Sequence, residues 1–200
     1  IGLNSIKAEV ISWTNHIQIE RKRAEMNVNT KKPTLHLEFR GSPGTSKTTV
    51  ARIIADILKG TGLISRGHFK EVTRADLVAE YMGQTSIKVK NVFKEMDGGV
   101  LFIDEAYSLI QGENDVFGKE AIDTLIAEME NKREDLVVIL AGYPDDMEQL
   151  MNSNPGFRSR VSKSFVFEDY SSAELLDIFK LKLEQENFAM ENQALEEVRK

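Results

Sequence analysis

From Gly41 the chain reads Gly-Ser-Pro-Gly-Thr-Ser-Lys-Thr-Thr, between an apolar strand pattern (Leu35, Leu37, Phe39) and a helical one. Small residues in that position let successive backbone N–H groups turn toward one anion. The helix behind adds the positive end of its dipole. Lys47 supplies a mobile cation that can reach outer phosphates, and the Thr48 hydroxyl is placed to ligate magnesium. Gly41, Pro43, Gly44, Thr45, Ser46, Lys47, Thr48 and Thr49 are therefore the candidate nucleotide-binding residues. Ser46 stands where the pattern Gly-x-x-x-x-Gly-Lys-[Ser/Thr] has its second glycine. A serine held in left-handed backbone there costs roughly 1–2 kcal/mol. On these residues alone, a plain Gly/Ser/Thr turn ahead of a helix competes with the phosphate loop.

Asp104 and Glu105 follow four apolar residues, Val100-Leu101-Phe102-Ile103, which do not alternate with polar ones. Such a run marks a strand covered on both faces of a parallel sheet. Ligands of open α/β sheets sit beyond the carboxyl ends of the strands, so the acid pair belongs beside the phosphate loop. Asp104 can hold magnesium, directly or through water, while Glu105 orients and polarises an attacking water. The alternative for Asp104 is an N-cap. Arg158 and Arg160 lie in Asn-Pro-Gly-Phe-Arg-Ser-Arg, read as a loop and expected at the nucleotide end of the sheet. There, in a ring, one arginine can reach the γ-phosphate held by a neighbour; the alternative is a solvated surface turn. Tyr81-Met82-Gly83 is either core or, as the polar flanks Glu80, Gln84 and Thr85 favour, an exposed loop. In a ring-shaped motor an exposed aromatic loop can grip a threaded peptide.

These groups need a scaffold, and the periodicities supply one. Residues 4–28 read as a helix with Ile6, Val10, Trp13 and Ile17 on one stripe, followed by a polar loop to Pro33. Strands are expected at Thr34–Arg40, Phe69–Thr73, Val100–Ile103, Leu136–Ala141 and Ser164–Phe167. Between them come helices at Lys47–Lys59, Arg74–Glu80, from Thr85 as a cap, Gly118–Asn131 and Asp145–Asn152, with Gln111–Phe117 a loop. His36 and Glu38 fall on the second face of the first strand; His36 is expected to be a satisfied histidine rather than a ligand. Alternation of strand and helix predicts a doubly wound α/β fold, a five-stranded parallel sheet between helices. Near Tyr170 the composition changes. Ser171 and Glu174 form a capping box, and a second helix is expected over Asn192–Lys200. The expected organisation is a nucleotide-binding domain over 1–170 and the start of a helical lid over 171–200.

Two hundred residues with 41% hydrophobic content can bury a substantial core. No apolar run approaches membrane-spanning length, and the N-terminus is not a signal peptide. The opening Ile-Gly-Leu lacks an initiator methionine, which suggests a trimmed chain. The chain has no cysteine, which excludes disulfides and Cys-based zinc sites and fits the cytoplasm. A net charge of −6 argues against general nucleic-acid binding.

Taken together, these motifs resemble the AAA+ ATPases, and within them the group that contains the red-type rubisco activases CbbX and CfxQ, stage V sporulation protein K and the ATPases of type VII secretion. The resemblance rests on residues 41–52, 74–85, 98–109, 140–143 and 154–160. It implies a hexameric ring with ATP or ADP and magnesium at subunit interfaces. Lys47 and Thr48 match Walker A, Asp104 and Glu105 match Walker B, and Tyr81 with Met82 and Gly83 matches the pore loop. Arg160 matches the arginine finger and Arg158 its second. Ile1 and Gly2 match the segment beside adenine. Two departures stand out. Ser46 replaces the Walker A glycine, and Leu140-Ala141-Gly142-Tyr143 lacks the Thr-Asn sensor that often follows this strand. The reading is a magnesium-dependent ATPase that remodels a protein partner through its pore loop. The alternatives are a nucleotide-binding assembly protein with little turnover, supported by Ser46, and a DNA-directed machine, disfavoured by the acidic balance.

Overall fold

Burial on both faces, which the uninterrupted apolar runs require, is met by a five-stranded sheet with helices on either side. The computed structural model describes residues 2–26, 28, 33–81, 83–112 and 114–188. In chain order it contains α1 (Asn4–Glu25), β1 (His36–Gly41), α2 (Lys47–Gly60), β2 (Phe69–Val72), α3 (Arg74–Leu77), α4 (Thr85–Glu95) and β3 (Val100–Ile103). There follow a 3-10 helix (Ala106–Leu109), α5 (Val116–Asn131), β4 (Val137–Gly142), α6 (Pro144–Ser153), α7 (Pro155–Arg160), β5 (Val161–Phe167) and α8 (Ser172–Gln185). All strand pairs are parallel, in the order β2-β3-β4-β1-β5. The strand order reverses beside β1, and the loop after Gly41 emerges at that switch point.

Two cores fill the layers. Ile6, Val10, Trp13 and Ile17 of α1 join Ala51, Ile54 and Leu58 of α2 against Leu37, Phe39, Phe102, Ile139 and Phe165. On the opposite face Val89 and Phe93 of α4, Leu125 and Met129 of α5 and Met147 of α6 cover Leu101, Ile103, Val138 and Leu140. The predicted α1 stripe of Ile6, Val10, Trp13 and Ile17 is buried, whereas of the α2 residues expected on one face only Ile54 and Leu58 are buried and Ile53 is exposed. Ser171 and Glu174 form the expected reciprocal capping box at α8.

His36 and Glu38, unexplained by pattern alone, are both buried. The Val138 N–H donates to His36 Nδ1 (3.0 Å), so Nε2 carries the proton and donates to the Met129 carbonyl (2.8 Å). The ring is a neutral pin between β1, β4 and α5. Glu38 is paired with Arg40 at 2.9 Å, and Arg40 with Glu148 at 2.7 Å.

Several local expectations are corrected. Asn154–Arg160 is not a loop. Asn154 accepts the Gly156 N–H, Pro155 takes the first helical position, and α7 runs directly into β5 at Val161 rather than at Ser164. Thr85 does not cap α4. It is fully buried as the first helical residue, and its hydroxyl accepts the Ala79 N–H (3.1 Å). The helix expected over Arg74–Glu80 stops at Leu77. Asp115 caps α5, which begins at Val116, two residues before the expected start at Gly118, and the 3-10 helix was not anticipated. Residue 1, Met82 and the helix expected over Asn192–Lys200 lie outside the described residues.

Arg158 and Arg160 are also relocated. In the parallel β1–β5 pair, Val161 lies opposite His36 and Phe167 opposite Gly41. Both arginines therefore sit where strands begin, roughly 20 Å of strand away from where the phosphate loop begins.

Burial lowers the His36 pKa from 6.5 to about 4. Its contribution to stability is complete above pH 6.5 and is lost as the pH falls toward 4, by about 3 kcal/mol. Urea denaturation at pH 7 and pH 4.5 should show this loss in the wild type and a smaller one in His36→Gln.

Candidate functional site

The loop after β1 is shaped by three backbone requirements. A Cβ on Gly41 would lie 2.6 Å from the Phe167 carbonyl oxygen of β5, so only glycine lets the two strand ends approach. Gly44 has φ +78° in open space, so its need is conformational. Ser46 has φ 65° and ψ 25°, the left-handed conformation that the missing glycine would take without strain. The Thr45 hydroxyl closes the turn by donating to the Ser42 carbonyl (2.7 Å). Val50 N–H donates to Ser46 O (3.0 Å), beginning the α2 ladder.

Lys47 folds back over the loop. Its Nζ donates to the carbonyls of Gly41 (2.7 Å) and Ser42 (2.8 Å). Burial lowers its pKa, and nearby Asp104 partly opposes that shift. The loop, the acid pair and two phenols line one cleft of about 290 Å³. It includes Gly41, Pro43, Gly44, Ser46, Lys47, Thr48 and Thr49 from the loop and α2, Asp104, Glu105 and Tyr107, and Gly142 and Tyr143. The structure thus brings together every predicted loop residue except Thr45, which lies buried beneath it, with both predicted carboxylates.

Glu105 has φ 47° and ψ 45°, a left-handed conformation for a glutamate, and its N–H bonds to Asp104 Oδ1 (3.0 Å). Strain of this kind persists where surrounding structure enforces it. Part of that enforcement is Arg74. It donates to the carbonyls of Ser108 and Leu109 in the 3-10 helix just after Glu105 and to Asp115 Oδ2 (2.7 Å). Bonds from Arg74 and from the Gly118 and Gln111 N–H groups outweigh the burial of the Asp115 carboxyl and hold its pKa down to about 2.

Thr48 and Asp104 offer a hydroxyl and a carboxylate in the same cleft, hard oxygen donors suited to magnesium shared with phosphate oxygens. Among the described residues no cluster of three or more His, Cys, Asp or Glu side chains could form an all-protein metal cage. The donor set fits magnesium that arrives with a phosphate.

A second hollow, of about 410 Å³ and largely apolar, adjoins the cleft and shares Ser46 and Thr49 with it. Leu3, Ile6, Val50, Tyr170 and Ile178 are among its walls. Gly2 is not in either wall. A Cβ there would meet Glu174 Oε1 at 2.7 Å and the Tyr170 ring at 3.2 Å. Tyr81 is 68% exposed and Gly83 takes φ +77°, so the exposed-loop reading holds for both; Met82 is outside the described residues. Arg158 bonds Glu148 (2.8 Å) and Asn152, and Arg160 pairs with Glu130 (3.3 Å); neither lines the cleft.

Sequence reasoning missed Tyr107, Tyr143 and Tyr170. The rings of Tyr107 and Tyr143 lie 5.8 Å apart beside the acid pair. Burial, then Glu105, raises the Tyr107 pKa. Each follows the end of a strand, which was the available signal.

Arg74→Ala should cost about 2 kcal/mol of unfolding free energy, because it strands the Asp115 carboxylate, and chemical denaturation at pH 7 measures it.

A family model described as "ATPase family associated with various cellular activities (AAA)" matches residues 37–168. Protein CfxQ of Xanthobacter flavus is 50% identical over 181 residues, covering 90% of this chain and 57% of that protein. The chloroplastic ribulose bisphosphate carboxylase/oxygenase activase of Cyanidioschyzon merolae (strain NIES-3377 / 10D) is 46% identical, covering 97% of this chain and 67% of that protein. The crystal structure of the FIGL-1 AAA domain in complex with ADP superposes with a TM-score of 0.66 at 20% identity, covering 99% of this chain and 64% of that one, a likeness of fold. The chain thus spans about 57% of the length of CfxQ. A match over this much of the sequence, on a fold and cleft of this geometry, establishes that the chain belongs to the AAA family of ATPases.

Proposed function

We propose that this chain is the nucleotide-hydrolysing core of a ring-forming ATPase that remodels a protein partner. The observation that carries the reading is the convergence of the loop, Lys47, Thr48, Asp104 and Glu105 on one cleft, continuous with an apolar hollow. ATP has that shape and polarity, a polyanionic tail and a flat base. The loop N–H groups and the start of α2 receive the phosphates, and the base lies in the hollow against Leu3 and Val50. Lys47 exchanges its two loop carbonyls for β- and γ-phosphate oxygens. Glu105 holds and polarises the attacking water. Thr48 and Asp104 would hold a magnesium ion arriving with the nucleotide, which would neutralise charge on the phosphate oxygens.

The positions of Arg158 and Arg160 support a role in trans. At the far end of the sheet they cannot serve their own chain's phosphates, whereas a neighbour in a ring, six-membered by resemblance, can place its cleft against them. In this arrangement Arg160 is the finger and Arg158 its second. The exposed Tyr81, with Met82 and Gly83, is the proposed grip on a protein substrate. Protein rather than nucleic acid fits the net charge of −6, and the relative from Cyanidioschyzon merolae, an activase of ribulose bisphosphate carboxylase/oxygenase, also points to a protein partner. Residues 171–200 are the proposed start of a lid. No helix among the described residues is long and apolar enough to cross a membrane. A cysteine-free chain fits a cytoplasmic setting.

The strained Ser46 favours a second reading, a nucleotide-gated assembly protein that turns over slowly.

Glu105→Gln should retain ATP binding and lose at least about 100-fold in hydrolysis rate. Wild-type turnover in that variant would reject the assigned role. A large rise in hydrolysis in Ser46→Gly over wild type would favour the slow-turnover reading of the natural chain.

A further inference from the structure

Ser46 is anomalous for reasons beyond the missing glycine. It keeps a left-handed backbone with no side-chain capping bond to its own helix, so its hydroxyl does nothing for α2. That hydroxyl is instead bonded to the Tyr170 phenol at 2.9 Å, across 124 residues of sequence. Tyr170 lies in the short connection between the end of β5 at Phe167 and the start of α8 at Ser172. The next residue, Ser171, is locked to Glu174 because its N–H (2.9 Å) and its hydroxyl (2.8 Å) both donate to Glu174 Oε2. On the other side Gly2, at φ +63°, lets the N-terminal segment close over the edge of the Tyr170 ring. Tyr170 is thus bordered by the capped start of α8 and by Gly2.

We infer that Tyr170 is a positioning residue for nucleotide binding: through the Ser46 hydroxyl it holds the phosphate loop in the strained shape that turns its N–H groups inward. The inference rests on the nucleotide reading of the cleft and goes beyond it. The argument is one of preorganisation. Left-handed serine is unfavourable, so an unsupported loop relaxes and must be re-strained by each arriving nucleotide, which weakens binding. A hydrogen bond available only in the strained shape offsets that tendency. Glycine at position 46 would need no such support. The serine and the tyrosine therefore form a matched pair, in which the hydroxyl that accompanies the strain also supplies its remedy. By linkage, a nucleotide that fixes Ser46 also fixes Tyr170, and with it the root of α8.

The test is a set of affinities for fluorescent N-methylanthraniloyl-ADP, measured by equilibrium titration on the wild type, Ser46→Ala, Tyr170→Phe, Ser46→Gly and the Ser46→Gly/Tyr170→Phe double variant. Ser46→Ala keeps the strain and loses the bond. Tyr170→Phe keeps the ring and loses the bond. Each should weaken binding by about threefold to tenfold, the span expected for one neutral hydrogen bond. Ser46→Gly loses bond and strain together and should bind at least as tightly as the wild type. Adding Tyr170→Phe to Ser46→Gly should change nothing further.

Equal losses from Tyr170→Phe in both backgrounds would overturn the inference, since the phenol would then act without Ser46. Wild-type affinity in Ser46→Ala would overturn it as well. Should one single variant fail to fold, the other carries the same comparison. If the wild type binds no labelled ADP, the nucleotide reading itself falls. If the wild type binds and all variants match it, only the Ser46–Tyr170 inference falls.

Discussion

The molecule depends on the enclosure of β1, which is paired on both edges and covered on both faces. Its backbone cannot shift without breaking two ladders, so Gly41 is delivered to a fixed point between β4 and β5. The acid pair ends β3, two strands away across β4, or about 10 Å at normal strand spacing. That gap, floored by Gly142 at the end of β4, is the cleft. Phosphate-sized space between a basic loop and two carboxylates thus follows from strand order before any side chain is chosen.

The strained residues fall along the same line. The positive-φ residues other than glycine are Leu3, Ser46, Glu105 and Asn187 among those described. Three of the four touch the cleft or the adjoining hollow. Two of them are supported by distant residues: Ser46 bonds Tyr170, and Glu105 precedes the 3-10 helix that Arg74 clamps. A left-handed turn reverses the chain within one residue, which is how the loop and the acid pair change direction so close to the strand ends.

Much of this was legible in the residues. Val100–Ile103 and Val137–Gly142 declare buried parallel strands by lack of alternation, and residues 41–49 declare the loop. What escaped was short or non-periodic. Six residues, Pro-Gly-Phe-Arg-Ser-Arg, are too few to show a helical stripe, although Asn154 followed by Pro155 is a helix-start signal. The placement of Arg158 and Arg160 was implied by the fold already inferred, because residues just before a parallel strand lie at the end where strands begin. His36 broke the apolar pattern because its partners, Val138 and Met129, become neighbours only in the assembled sheet, and the Glu148 that completes the Glu38–Arg40 pair is likewise distant in sequence. The Ser46–Tyr170 contact is equally invisible to local reasoning.

The resting posture of Lys47 has a consequence for selectivity. Its ammonium is already satisfied by two carbonyl oxygens, those of Gly41 and Ser42. Chloride or another singly charged ion offers a weaker bargain than those oxygens and leaves the ammonium where it is. A polyphosphate, with several oxygens and multiple charges, out-competes them. Those two bonds thereby set a threshold that favours polyvalent anions over simple ones.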